Sequence, residues 1–240
     1  MKTVQKSGSL AALYMAVAHL VGIIIFLVIL DYVNITDPAQ KMALNVEKQA
    51  IVFSTNLLMY VFFSFALVVL SLALFNRMNS GAPALIQVAT AVGIIWAGSL
   101  MASGMVANAG LAAVVALSAQ DPTQATLLWQ GVEAVANGLG NANGEILGGV
   151  WVLLVSLAAL RAGGLPRSLN VLGLLVGAVG IISLIPGLTG MMIGVFGLGQ
   201  IIWFVGLGIS LWRSNPNRAT ENEQATRLQV STYPFPKGRG

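Results

Sequence analysis

A chain of 240 residues with 57% hydrophobic and 8% charged side chains cannot build a water-exposed surface, for which about 25% charge is usual. Its formal charge of +4 comes from basic residues scattered singly between apolar runs and in a C-terminal tail. No basic face follows a phosphate backbone, which argues against nucleic acid as a partner. Without cysteine, disulfides, thiol nucleophiles and thiolate metal sites are excluded.

The first apolar run, from about Ser9 to Leu30, follows Lys2 and Lys6. It is longer than a signal-peptide core, and Ala11, Ala12 and Ala16 fall early in it instead of after it, so it reads as an uncleaved first helix. His19, the single histidine, sits near its middle. A neutral imidazole bonded to a neighbouring helix is the leading reading, and a proton relay is the second. One histidine cannot build a two-histidine haem or a His-rich zinc site. The connection that follows carries the sequon Asn34-Ile35-Thr36, which matters only in a eukaryotic secretory host.

A second span runs from about Ile51 to Phe75 and carries Asn56 and Tyr60, one helical turn apart. They are expected to make an interhelical bond. After a short turn containing Asn79, Ser80, Gly81 and Pro83, the third span begins near Ala84. From Asn79 to Gln120 there is no charged residue. As a helix, residues 84–118 would reach about 52 Å, against a bilayer core of roughly 30 Å. The segment must project beyond the membrane, bend, or stop and resume near Gly104, Asn108 and Gly110.

Asp121 and Pro122 mark a helix start. Beyond them Trp129, Glu133, Asn137 and Asn141 recur every four residues, placing one aromatic and three polar groups on one stripe. Two readings stand. In the first, the third and fourth helices form an outer hairpin whose stripe faces water or an adjoining subunit. In the second, Glu133, Asn137, Asn141 and Glu145, joined by Asn108, line a polar cleft, because acids at membrane depth usually border a cavity or a partner. The fourth span ends at Leu160, the fifth covers about Leu169 to Ile185, and the sixth runs from Met191 to Trp212. Gly173 with Gly177, and Gly190 with Gly194, have the small-x-x-x-small spacing that lets helix backbones pack closely. Gln200, alone in its polarity inside the sixth span, is expected to bond across helices.

With six spans, one set of connections holds ten basic residues, Lys2, Lys6, Arg77, Arg161, Arg167, Arg213, Arg218, Arg227, Lys237 and Arg239, and the other holds only Lys41 and Lys48. This bias places both termini in the cytoplasm. The expected architecture is therefore all-α: a polytopic transmembrane bundle over 1–212, with extended third and fourth helices, and a polar tail over 213–240 that is expected to be disordered or to dock through Tyr233 and Phe235.

The stretch AALRAGGLPRSLNVLGLLVGAVGIISLIPG, Ala158 to Gly187, resembles a family of bacterial six-helix membrane proteins of unknown function. Arg161, Gly164, Leu165, Pro166 and Arg167 match its basic-ended helix and Gly-Leu-Pro-Arg turn. The resemblance implies a bacterial inner membrane and brings no catalytic residues. No metal cluster and no nucleophile–base set can be assembled, so the expected function is non-catalytic: an accessory or scaffolding subunit in contact with membrane lipids and other membrane subunits. The alternative is a transporter of a small molecule or ion through the Glu133–Glu145 region. The sequence names no cofactor. A lipid, haem or pigment held by apolar contacts leaves little trace.

Overall fold

The computed structural model describes residues 2–140, 142 and 144–213. Every regular element is helical: α1 Lys2–Ile23, α2 Pro38–Glu47, α3 Gln49–Asn56, α4 Phe63–Met78, α5 Pro83–Ser118, α6 Pro122–Leu139, α7 Ile146–Ala162, α8 Arg167–Ile182 and α9 Thr189–Arg213. α1 continues as a π-helical segment through Ile29, and a second π segment, Leu57–Phe62, joins α3 to α4. Four continuous helical stretches are long and apolar enough to cross a membrane: Thr3–Ile29, Gln49–Met78, Pro83–Ser118 and Thr189–Arg213. α7 and α8 are shorter apolar helices of 17 and 16 residues. Large side chains face outward along these helices, with Ile95 60%, Leu175 63% and Ile202 62% exposed. That surface suits hydrocarbon as solvent, the setting of a membrane protein.

The long helices and α7 and α8 close into a ring, α1 against α4, then α5, α7, α8 and α9, which returns to α1. Their inward faces meet in an aromatic core. Trp151 lies 5.8 Å from Trp96 and 5.6 Å from Trp203 between ring centroids, and Phe63 and Phe204 complete the cluster. Glycine sets how closely the backbones approach. A Cβ on Gly149 of α7 would stand 2.9 Å from the Gly177 carbonyl oxygen of α8, so these two helices touch backbone to backbone.

Local signals explain the boundaries. Asp37 accepts from the Ala39 amide at 3.1 Å with Pro38 in the first turn of α2, and Asp121 does the same for Gln124 at 3.0 Å with Pro122 in α6. Gly163, at φ +66°, ends α7 in the left-handed conformation that glycine adopts without penalty. α5 runs uninterrupted for 36 residues, about 54 Å at 1.5 Å per residue. Gly104 and Gly110 do not break it. They admit neighbours instead, Gly104 against Tyr60 and Gly110 against Val132 of α6. α6 packs along this far end of α5, and α2 packs over both. A second small core joins them, containing Leu30, Met42, Val52, Leu111, Val114 and Trp129.

Two expectations change. The connection after Leu30, read without structure, holds a 3-10 turn at Tyr32–Asn34 and the helix α2. Asp31, at φ 48°, redirects the chain there. Gly190 and Gly194 have no heavy atom of the described chain within 4 Å of a built Cβ, so their spacing packs nothing within it, whereas Gly173 meets Ser156 and Trp203, and Gly177 meets Gly149. The tail from 214 lies outside the described residues, as do Asn141 and its share of the polar stripe.

Candidate functional site

The stripe on α6 turns toward α2, α5 and the segment that carries Tyr32. Trp129, Glu133 and Asn137 form one wall of a cavity of about 230 Å³. Tyr32 and Asn45 close it from the 31–48 segment, and Asn56, Tyr60 and Ser103 form its floor. Two hydroxyls fix the end of α6 on α5. Ser103 Oγ donates to the Ala136 carbonyl at 2.7 Å, and Ser99 Oγ donates to that of Leu139. The π segment beneath carries Tyr60. A π turn displaces backbone partners, and here the Leu58 carbonyl accepts from the Tyr14 phenol of α1 at 2.8 Å.

Tyr32 is the organising group. Its phenol donates to Glu133 Oε1 at 2.9 Å and accepts from Asn45 Nδ2 at 3.2 Å and Trp129 Nε1 at 3.3 Å. One donor and two acceptor positions are all a phenol has, so its orientation is fully fixed. Burial pushes this phenol well above its ordinary range, with the Glu133 charge adding to the effect; it therefore stays protonated as the donor to the carboxylate. Lys41 Nζ lies 3.4 Å from Glu133 Oε1 and 4.9 Å from the centre of the Tyr32 ring. Both members of the ion pair retain roughly a quarter of their side-chain exposure, so water screens the pair. Asn45 Nδ2 also donates to the Lys41 carbonyl at 2.8 Å, while its Oδ1 is buried without a hydrogen-bond partner.

No family model, no curated protein and no solved structure matches the chain. The site's chemistry therefore rests on its geometry.

Of the residues expected at a cleft, Glu133 and Asn137 line the cavity. Asn108 stands behind its floor, accepting from Asn56 Nδ2 at 2.9 Å and donating to the Phe53 carbonyl at 3.2 Å. This is the interhelical bond expected of Asn56, and Tyr60 joins Asn56 on the cavity floor. Glu145 is not among the lining residues. It sits one residue before α7, its amide donating to Ser183 Oγ at 2.8 Å, and burial pushes its carboxyl up to about 8. Tyr32, Lys41 and Asn45 lie in the 31–48 connection, whose composition marks no span. The Asp37-Pro38 pair, the same start signal read correctly at Asp121-Pro122, was the available clue.

His19 and Gln200 differ from Asn56. His19 Nδ1 lies 3.3 Å from the Met15 carbonyl of its own helix, and its ring meets Phe63 edge-on at 5.0 Å; no bond to a neighbouring helix forms. Gln200 is fully buried, and neither of its amide atoms has a hydrogen-bond partner. Among the described residues it makes no interhelical bond. Among the described residues no group of three or more His, Asp or Glu side chains could hold a metal ion.

Proposed function

We propose that this chain is a six-span integral membrane protein with its basic end in the cytoplasm, and that it serves as a non-catalytic binding component for a small polar solute at its outer end. In this reading α7 and α8 are the fourth and fifth spans, short because α5 and α6 project and the chain re-enters through Gly144 and Glu145. The positive-inside bias supports the orientation, and the turn from Arg161 to Arg167 supports a bacterial inner membrane through its resemblance.

One observation carries the binding reading: the Glu133 carboxylate lines the cavity beside the side chain of Asn137. Tyr32 is saturated, so the carboxylate is the group left to meet a solute. A hydrogen bond from a donor-bearing solute to a charged acceptor is worth about 1.5–3 kcal/mol. The expected ligand is therefore a small ammonium or amide and not an anion. Below the floor stand Phe63 and Trp96 of the aromatic core, which favours binding over passage in this conformation.

The test is thermal unfolding of the purified full chain in mild detergent with millimolar methylammonium, acetamide or acetate. Methylammonium should raise the midpoint most and acetate not at all, and Glu133→Gln should remove the gain. Equal midpoints with all three solutes would refute the proposal.

A further inference from the structure

The opposite end of the ring holds a second, larger cavity of about 500 Å³, lined by Arg77, the α7–α8 turn from Gly163 to Pro166, and the last turns of α9 including Ile209 and Arg213. Arg77 is built in. Its Nε donates to the Gly164 carbonyl at 2.6 Å and its Nη1 to Gln5 Oε1 at 3.3 Å, so the guanidinium is held without any carboxylate. Arg213 is exposed and has no ion pair among the described residues. Every described acid, from Asp31 to Glu145, belongs to the connections of the other end. Two guanidinium groups thus share one cavity with no counter-charge among the described residues, a costly arrangement unless an anion is nearby.

Two further features select the kind of anion. Pro166 is the N-cap of α8 and provides no side-chain hydrogen bond, so the positive end of a 16-residue helix lies at the rim. Beneath the cavity, on the outer surface of α9, Ile209, Val205 and Ile202 are exposed in succession, one turn apart. We propose that this cavity binds a phosphate-bearing anion, with the guanidinium groups of Arg77 and Arg213 on its oxygens. The apolar strip on α9 favours the headgroup of an anionic phospholipid whose acyl chain lies along Ile209, Val205 and Ile202. Basic pockets between spanning helices commonly hold such headgroups.

Native mass spectrometry of the full chain in mild detergent tests this, using dioleoyl phosphatidylglycerol, dioleoyl phosphatidylcholine and inorganic phosphate as probes. One phosphatidylglycerol per chain should be retained in preference to phosphatidylcholine. Arg213→Ala should weaken retention roughly fivefold, the fold-change of about 1 kcal/mol for one arginine near the surface. Arg161→Ala, at the same end but outside the cavity, should leave it nearly unchanged, which separates a site from diffuse attraction. Since Arg77→Gln also removes a structural contact, the Arg213 variant is decisive. Binding of inorganic phosphate that is lost in Arg213→Ala, without lipid preference, would assign the site to a soluble anion. Equal retention of the two lipids with no phosphate binding would overturn the proposal. So would equal losses in the Arg213 and Arg161 variants.

Discussion

Tyr32→Phe removes one oxygen and three hydrogen bonds at once, leaving the ring and its packing against Phe26 in place. The loss is not three equal parts. Asn45 Nδ2 keeps its bond to the Lys41 carbonyl, and Glu133 keeps Lys41. Trp129 Nε1, on a side chain only 5% exposed, loses the sole partner it has. A charge-assisted bond is worth about 1.5–3 kcal/mol and an orphaned buried donor costs about 1–3 kcal/mol. Water admitted to the cavity would recover part of this, so the net loss should be about 2–3 kcal/mol. It should also be local, because Tyr32 ties α2 and α6 together and touches nothing in the aromatic core. Hydrogen exchange is therefore the assay. Amides of α2 and α6 should exchange roughly 30- to 150-fold faster at the stated loss, with 1.4 kcal/mol per tenfold, while α7 and α8 stay protected. A Tyr32→Phe/Trp129→Phe double-mutant cycle should return a coupling of about 1 kcal/mol. Unchanged exchange in α2, or equal acceleration in every helix, would refute the view that Tyr32 holds α2 on α6.

Glu145, with its carboxyl pushed up to about 8 against an ordinary 4.5, binds its proton more tightly folded than unfolded. Stability should then be greatest below about pH 4.5 and fall as pH rises toward about 8, with no further change above. Glu145→Gln should abolish that slope in a pH series of thermal midpoints and match the wild type at the acid end; a variant with the same slope would exclude Glu145 as its origin. Gly149→Ala sets a Cβ against the α8 backbone, 2.9 Å from the Gly177 carbonyl oxygen and 3.0 Å from the Gly180 carbonyl carbon. It should destabilise by about 1–3 kcal/mol as the helices separate. Gly194→Ala, with open space around the added methyl, should be neutral or stabilising by up to about 1 kcal/mol. Equal midpoints for the two glycine variants would count against close α7–α8 packing.

How far the sequence could be read depended on the range of the force that fixed each feature. Apolar runs fixed the helices, because a stretch such as Pro83–Ser118 with no charge offers the chain no stable alternative in hydrocarbon. Helix starts were legible wherever a side chain acts on its own neighbours, as Asp121 does on Gln124. The four-residue stripe on α6 was legible for the same reason, since one helix sets its own periodicity. What it faces was not legible. That depends on α2, a helix of 10 residues with weak average hydrophobicity, which lies far from α6 in sequence. Tyr32 reaches Glu133 across 101 residues, and no local pattern in either segment announces the other. Gln200 is a related case: one polar residue in an apolar helix suggests a partner, yet both of its amide atoms are buried with no hydrogen-bond partner among the described residues.

The two ends of the ring divide the charged chemistry between them, and the helix lengths explain why. At the basic end the turns are short, and Arg77, Arg161, Arg167 and Arg213 crowd onto the rims of α4, α7, α8 and α9. Repulsion among them is tolerable only where water or a bound anion lies close. At the acidic end α5 outruns its neighbours, so α6 and α2 must pack against a helix with no bundle around it. Their small core has few large side chains, and the polar network of Tyr32, Asn45, Trp129 and Glu133 supplies the register that hydrophobic packing alone leaves loose. A layer held this way opens at lower cost than the aromatic core beneath it. The same residues that fasten the layer also line the cavity, so a solute that binds there should slow the exchange of α2 and α6 amides before it alters anything in the ring. Protection confined to the ring helices would show that the solute binds elsewhere.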